Sequence, residues 1–172
     1  MYKIRELEQS DLVKLSDVLS EQRLETDYPR LSLTIPNLAE WICNDEDAFN
    51  LVIEEKSEEG PLGHVAASSI FKQGSKTREL VNSLVSEEGT PWMEVKRLFV
   101  DLRCQGKGLG SILFLDALDK VWGMGHAPFV VVDALNGLSE WYIKHGGRIR
   151  TEFNSVNDGS PLAFIDFLRP IR

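Results

Sequence analysis

The stretch Arg103–Phe114, RCQGKGLGSILF, places Gly106, Gly108 and Gly110 within five positions and runs straight into an apolar segment. Glycine opens a helix badly, at about 1 kcal/mol per position relative to alanine. A glycine cluster at a helix start therefore asks for bare backbone. The chemistry that uses bare backbone there is anion binding. A helix N-terminus carries about half a positive charge and several N–H groups without helical partners, and phosphate reaches them when no β-carbon intervenes. Arg103 and Lys107 add cationic side chains. The alternative is a glycine-lined turn chosen only for tight strand-to-helix geometry.

Three phosphate-loop patterns compete for this segment. The P-loop pattern GxxxxGK[ST] fails, because Lys107 precedes Gly108 instead of leading into Ser or Thr. The dinucleotide pattern GxGxxG takes Gly106 and Gly108 as its first two glycines, and Asp133 falls near the place of a ribose-binding acid. Its third glycine position is Ser111, however, and the glycines begin well after Val100 instead of directly off the strand. The pattern Q/R-x-x-G-x-G/A is met at every position by QGKGLG, Gln105 to Gly110.

With its context, MEVKRLFVDLRCQGKGLGSILF, this segment resembles the central motif of the GNAT superfamily of N-acetyltransferases. The resemblance implies acetyl-CoA as co-substrate. It implies a diphosphate held by Arg103, Gln105, Gly106, Lys107, Gly108, Leu109, Gly110 and Ser111, and an oxyanion donor among the backbone N–H groups of Leu98, Phe99 and Val100. A later segment, NGLSEWYIKHGGR, is similar to the family pattern N-x-x-A-x-x-x-Y-x-K-x-G-F through Asn136, Tyr142, Lys144 and Gly146. Its Asn-to-Tyr spacing is one residue short, and Gly147 replaces the aromatic residue. Asn136 is accordingly either a coenzyme contact or only a helix N-cap. By position Tyr142 is the family's general acid, which protonates the leaving thiolate; the bland reading is a core aromatic.

An alkylamine with a pKa near 10.4 is almost wholly protonated at pH 7, so the site must desolvate it or take its proton. Glu94, on the strand before the loop, is the candidate base, directly or through water; the competing reading is a carboxylate that merely pairs with a neighbouring cation. Alternation puts Glu94 on one face with Lys96, Leu98 and Val100 if no bulge intervenes. His64 is a lesser candidate, His145 stands where a helix C-terminus favours a cation, and Cys104 has no histidine partner for nucleophilic work. No metal site is expected.

The elements that must position these groups follow from hydrophobic periodicity. MYKIREL reads as a strand, and Ser10 or Asp11 caps a helix with Leu12, Leu15, Val18 and Leu19 on one stripe. NLAEWICN, with Asn37 as its cap, reads as a second helix, and residues 48–54 and HVAASSIF form a hairpin. Lys72–Thr90 reads as a long polar loop with one short helix, and Trp92–Val100 as a strand. Gly108 to about Gly123 is a helix, APFVVVDA a buried strand of the parallel type, and LSEWYIKH a short helix stopping at Gly146-Gly147. RIRTEF and LAFIDFL close the chain as strands.

The expectation is a single α/β domain over residues 1–172. The family fold implied is a mixed, mostly antiparallel sheet of about seven strands with about four flanking helices. A 42% hydrophobic chain of 172 residues can bury a substantial core, and two cysteines are too few for a disulfide framework. With no leader and no long apolar run, a cytoplasmic location is expected. A net charge of −8 argues against nucleic acid as a partner and suits a cationic amine, with Thr26–Pro36 and Lys72–Thr90 as acceptor-facing loops. The acceptor implied is a small-molecule or peptide amine, with no membrane partner and with homodimer formation possible. The alternative from another class is a non-catalytic CoA-binding module of the same fold.

Overall fold

The computed structural model describes residues 1–25, 38–135, 137–156 and 158–170. Seven strands form one mixed sheet in the order β1-β2-β3-β4-β5-β7-β6. In chain order the elements are β1 (Tyr2–Glu6), α1 (Asp11–Glu25), α2 (Leu38–Ile42), β2 (Phe49–Glu55), β3 (Pro61–Ser68), α3 (Lys76–Glu88) and β4 (Trp92–Val100). A single 3-10 turn (Leu102–Cys104), α4 (Leu109–Gly123), β5 (Ala127–Asp133), α5 (Leu138–Lys144), β6 (Gly147–Asn154) and β7 (Pro161–Phe167) complete the chain. Two compact units divide it: Met1–Ala66 with Arg97–Ala117, and Ala67–Lys96 with Leu118–Arg172.

In the first unit β1 and β2 pair antiparallel, from Tyr2 opposite Glu55 to Glu6 opposite Leu51. The helical stripe expected for α1 is the one buried: Leu12, Leu15, Val18 and Leu19 pack with Ile42, Val52 and Phe99. Asp11 is the first helical residue and not the cap. Its carboxylate turns back to accept the Glu8 N–H at 2.8 Å and takes both terminal nitrogens of Arg5 at 2.7 and 2.8 Å. Arg5 holds that carboxyl below its ordinary range, and the ion pair ties β1 to the start of α1. Asn37 lies outside the described residues.

In the second unit β4 and β5 pair in parallel over Trp92–Glu94 against Ala127–Phe129, and β5–β7 and β7–β6 pair antiparallel. The core is aromatic. Phe129 and Phe164 stack at 4.4 Å with an interplanar angle of 13°, and Trp92 packs on both at 6.2 and 6.0 Å.

The polar segment Lys72–Thr90, expected to be mostly loop, carries the 13-residue helix α3, so the described helices number five instead of about four. Its boundaries are well specified. The Ser75 hydroxyl accepts the Arg78 N–H at 3.2 Å, and Gly89 closes the helix in the left-handed conformation at φ +71°. The one short helix expected in this segment is there and is longer than periodicity indicated, because Val81 is its one buried residue.

Gly147, the departure from the family pattern, has a steric cause. A β-carbon there would lie 2.7 Å from Ile165 Cγ2 and 2.8 Å from the Tyr142 carbonyl oxygen, so α5 and β7 leave room for backbone alone. Gly147→Ala is expected to lower stability by about 1–3 kcal/mol, the usual cost of overpacking. Urea unfolding monitored by circular dichroism reads this as a lower midpoint, and an unchanged midpoint refutes the close approach.

Candidate functional site

Downstream of Val100 the first unit builds a short, well-anchored arch. The Asp101 N–H donates to the Leu62 carbonyl at 2.7 Å, which fastens the start of the arch to β3. The Asp101 carboxylate, on a residue 1% exposed, accepts three bonds from Arg103: the backbone N–H at 2.9 Å, Nε at 3.0 Å and Nη2 at 2.6 Å. Arg103 holds that carboxyl below its ordinary value. Successive turns then close as Cys104 N–H donates to Asp101 O at 2.8 Å, Gln105 N–H to Leu102 O at 3.2 Å and Lys107 N–H to Cys104 O at 3.3 Å. Cys104 and Leu109 are buried at the two feet, and Gln105–Gly108 between them are exposed.

The glycines divide into two kinds. Gly106 and Gly108 take φ +76° and +80°, left-handed backbone in which a side chain is strained. Gly110 is helical with no positive φ, and a β-carbon on it would meet nothing within 4 Å. The chain's own packing therefore gives no reason for glycine at 110. The first helical bond described for α4 runs from Ile112 N–H to Gly108 O at 3.0 Å, so the N–H groups of Gly108, Leu109 and Gly110 precede the helical ladder. Bare backbone, a helix N-terminus and two cations together can receive an anion.

Leu98, Phe99 and Val100 belong to the same unit at the end of β4. Glu94 lies in the second unit, opposite Phe129 in the parallel pair. Arg97 has φ +56°, so β4 is not extended throughout. Tyr142 is buried in the second unit, its ring edge-on to Trp141 at 4.9 Å and to Phe167 at 6.3 Å. Asn136 lies outside the described residues, and the cap position of α5 belongs to Gly137, with no side-chain cap.

His64 is fully buried, and burial pushes its pKa down to about 3, far too low for a base at neutral pH. Its Nδ1 lies 3.1 Å from the Arg97 carbonyl oxygen. The His145 Nδ1 contacts the Trp141 carbonyl at 2.7 Å. Burial raises the pKa of Cys104, which removes it further from nucleophilic work. No cluster of metal-ligating side chains occurs among the described residues.

Two residues escaped the sequence reading. Asp101 carries a legible signal, an Asp two residues ahead of an Arg at the end of a strand. Arg97 carries none, since nothing in EVKRLFV marks one residue as left-handed.

The model of the acetyltransferase (GNAT) family matches residues 5–144. No curated protein matches the sequence. Among solved structures, the fold is similar to that of Arabidopsis thaliana NAA60 in complex with acetyl-CoA, at 15% identity, with 98% of this chain and 100% of that one covered and a TM-score of 0.71. An N-acetyltransferase from Staphylococcus aureus follows at 18% identity, coverage of 97% and 98%, and a TM-score of 0.67. Ard1 from Thermoplasma volcanium gives 16% identity, coverage of 98% and 99%, and a TM-score of 0.63. At these identities the likeness is one of fold.

The arch itself is open to test through Asp101. A carboxyl whose folded pKa is depressed adds stability above its unfolded value, near 3.8, and loses it as pH falls through the folded value. Asp101→Ala is expected to cost about 1–2 kcal/mol at pH 7, the range of a lost cap. Urea unfolding at pH 7 and at pH 3 checks it: the gap between parent and variant narrows at the lower pH, and a gap that widens there contradicts the assignment.

Proposed function

Because the chain belongs to the GNAT acetyltransferase family, we propose that it transfers an acetyl group from acetyl-CoA to a primary amine of a small molecule or peptide by direct attack. The observation that supports this most is Gly110. Glycine inside a helix costs about 0.5–1 kcal/mol relative to alanine, and here neither backbone conformation nor packing offsets it. A ligand that approaches the backbone of α4 gives that glycine its reason. The diphosphate of acetyl-CoA fits the donors present: the N–H groups at Gly108–Gly110, with Lys107 and the Asp101-held Arg103 beside them. NAA60, of the same fold, has been solved with acetyl-CoA and with a bisubstrate analogue.

In this reading the amine is held neutral and adds to the thioester carbonyl. The negative charge that develops on oxygen is met by backbone N–H among Leu98, Phe99 and Val100. Glu94, directly or through water, takes the amine proton, and Tyr142 returns a proton to the departing thiolate. The aromatic contacts that lock the Tyr142 ring suit a donor that must be preorganised. Gln105, Leu109 and Ser111 complete the coenzyme contacts, Leu109 through its backbone because its side chain is buried. The acidic balance of the chain suits an acceptor that arrives as a cation.

Two measurements test the reading. Gly110→Ala is expected to leave stability equal or higher and Gly110→Val to leave the fold intact, while both weaken acetyl-CoA, the valine by about tenfold or more, which is about 1.4 kcal/mol. Calorimetry with unchanged affinity in the folded variants overturns the proposal.

Tyr142→Phe is expected to lower kcat by about tenfold to a hundredfold with little change in acetyl-CoA affinity, the pattern of an interaction made only in the transition state. Glu94→Gln is expected to remove the acidic limb of the pH–rate profile. A release assay for free thiol across pH reads both. Loss of stability in step with loss of rate instead assigns either residue to packing.

A further inference from the structure

Arg97 is, among the described residues, the one non-glycine with positive φ, at +56°. Left-handed backbone costs an L-residue about 1–2 kcal/mol and persists where the surroundings over-determine it. Here they do so at both ends of the residue. Its guanidinium donates through Nη1 to the carbonyls of Trp41 at 2.6 Å and Ile42 at 3.3 Å, and through Nη2 to the buried carboxylate of Asp47. Its own carbonyl faces His64 Nδ1 at 3.1 Å. Asn50 closes the circuit, with Nδ2 donating to Asp47 Oδ2 at 3.2 Å and Oδ1 lying 3.0 Å from His64 Nε2.

A neutral imidazole has one N–H, and the two oxygens that face the ring, the Arg97 carbonyl at Nδ1 and Asn50 Oδ1 at Nε2, can only accept, so it donates to one of them at a time. In the Nδ1–H tautomer the Arg97 carbonyl receives that N–H, and Phe99, whose ring lies 5.4 Å from the imidazole, bounds the ring's tilt. A backbone carbonyl and the N–H of the next residue share one rigid plane and, in a trans peptide, point opposite ways. Holding the Arg97 carbonyl toward buried His64 therefore aims the Leu98 N–H in the opposite direction.

We propose that His64, as its Nδ1–H tautomer, is a positioning residue for acyl transfer: by donating to the Arg97 carbonyl it orients the Leu98 N–H as the oxyanion donor. This rests on the proposed function and deepens it by naming which N–H of β4 acts and what holds it. His64 touches no reacting atom and exchanges no proton in turnover. The arch at Gln105–Gly110 is fastened separately, by the Asp101 N–H to the Leu62 carbonyl and by the Asp101–Arg103 bonds.

The experiment compares the parent with His64→Leu, which keeps apolar bulk and removes the donor, and His64→Asn, whose amide nitrogen falls near the place of Nδ1. Calorimetry with CoA and with acetyl-CoA is run beside kcat, with active protein counted by bound CoA. The expected result for His64→Leu is a fall in kcat of about tenfold or more, short of the roughly 100-fold to 1,000-fold loss of a whole oxyanion donor. Its CoA affinity stays within about twofold, and any preference for acetyl-CoA over CoA shrinks. His64→Asn is expected to recover most of kcat with a pH–rate profile of unchanged shape.

If His64→Leu does not fold, His64→Gln, whose amide falls near the place of Nε2 and not of Nδ1, carries the test, with a kcat loss expected at constant CoA affinity. A kcat within twofold of the parent in the folded variant overturns the positioning role alone, as does a kcat loss matched by an equal loss of CoA affinity. A parent that binds neither ligand overturns the underlying function and this inference with it.

Discussion

A left-handed residue inside a strand is tolerated only when its neighbours leave it no alternative, and in the first unit Arg97 is where the neighbours converge. Its guanidinium collects the last carbonyls of α2 and the carboxylate of Asp47 ahead of β2, and its carbonyl takes the ring of His64 from β3. Three elements, α2, β3 and β4, and the segment ahead of β2 thus meet through one side chain and one peptide plane. The desolvation of the Arg97–Asp47 pair is offset by bonds from both terminal nitrogens of Arg97 and to both oxygens of Asp47; Arg97 Nε is buried without a partner. The ion pair here specifies a conformation that apolar packing alone could not choose.

How much of this the sequence disclosed depends on whether a residue's cost is visible in one dimension. Three glycines at a helix start are costly on sight, so the arch was legible and the structure places it between Val100 and α4 as expected. The apolar stripe of α1 was equally plain. Helix α3 was legible only as a short helix in a loop, because its specification lies in its ends, Ser75 and Gly89, while its body, KTRELVNSLVSEE, buries only Val81. Arg97 was hidden for the opposite reason: it occupies a strand of ordinary composition, and its backbone is dictated by residues some 33 to 56 positions away in the chain. Gly147 was visible as a departure, and only the packing of Ile165 and the Tyr142 carbonyl explains it.

The glycines of the arch also show that one residue type can answer to different constraints within five positions. At 106 and 108 the backbone dihedral requires it, and at 110 nothing within the chain does. Within the chain, stability accounts for glycine at 106 and 108 and leaves 110 unexplained.

The Asp101–Arg103 pair bears on how fast an anion finds the arch. Taken over residues 101–111 the charges are Asp101, Arg103 and Lys107, and the first two cancel, so the segment presents one net positive charge and not two. Long-range attraction follows net charge, whereas close contacts follow where each charge sits. At physiological ionic strength, with a screening length of about 8 Å, one net charge makes the arch a weak attractor of anions at a distance. Encounter with a polyanion should be governed by diffusion and orientation, and selectivity by residence.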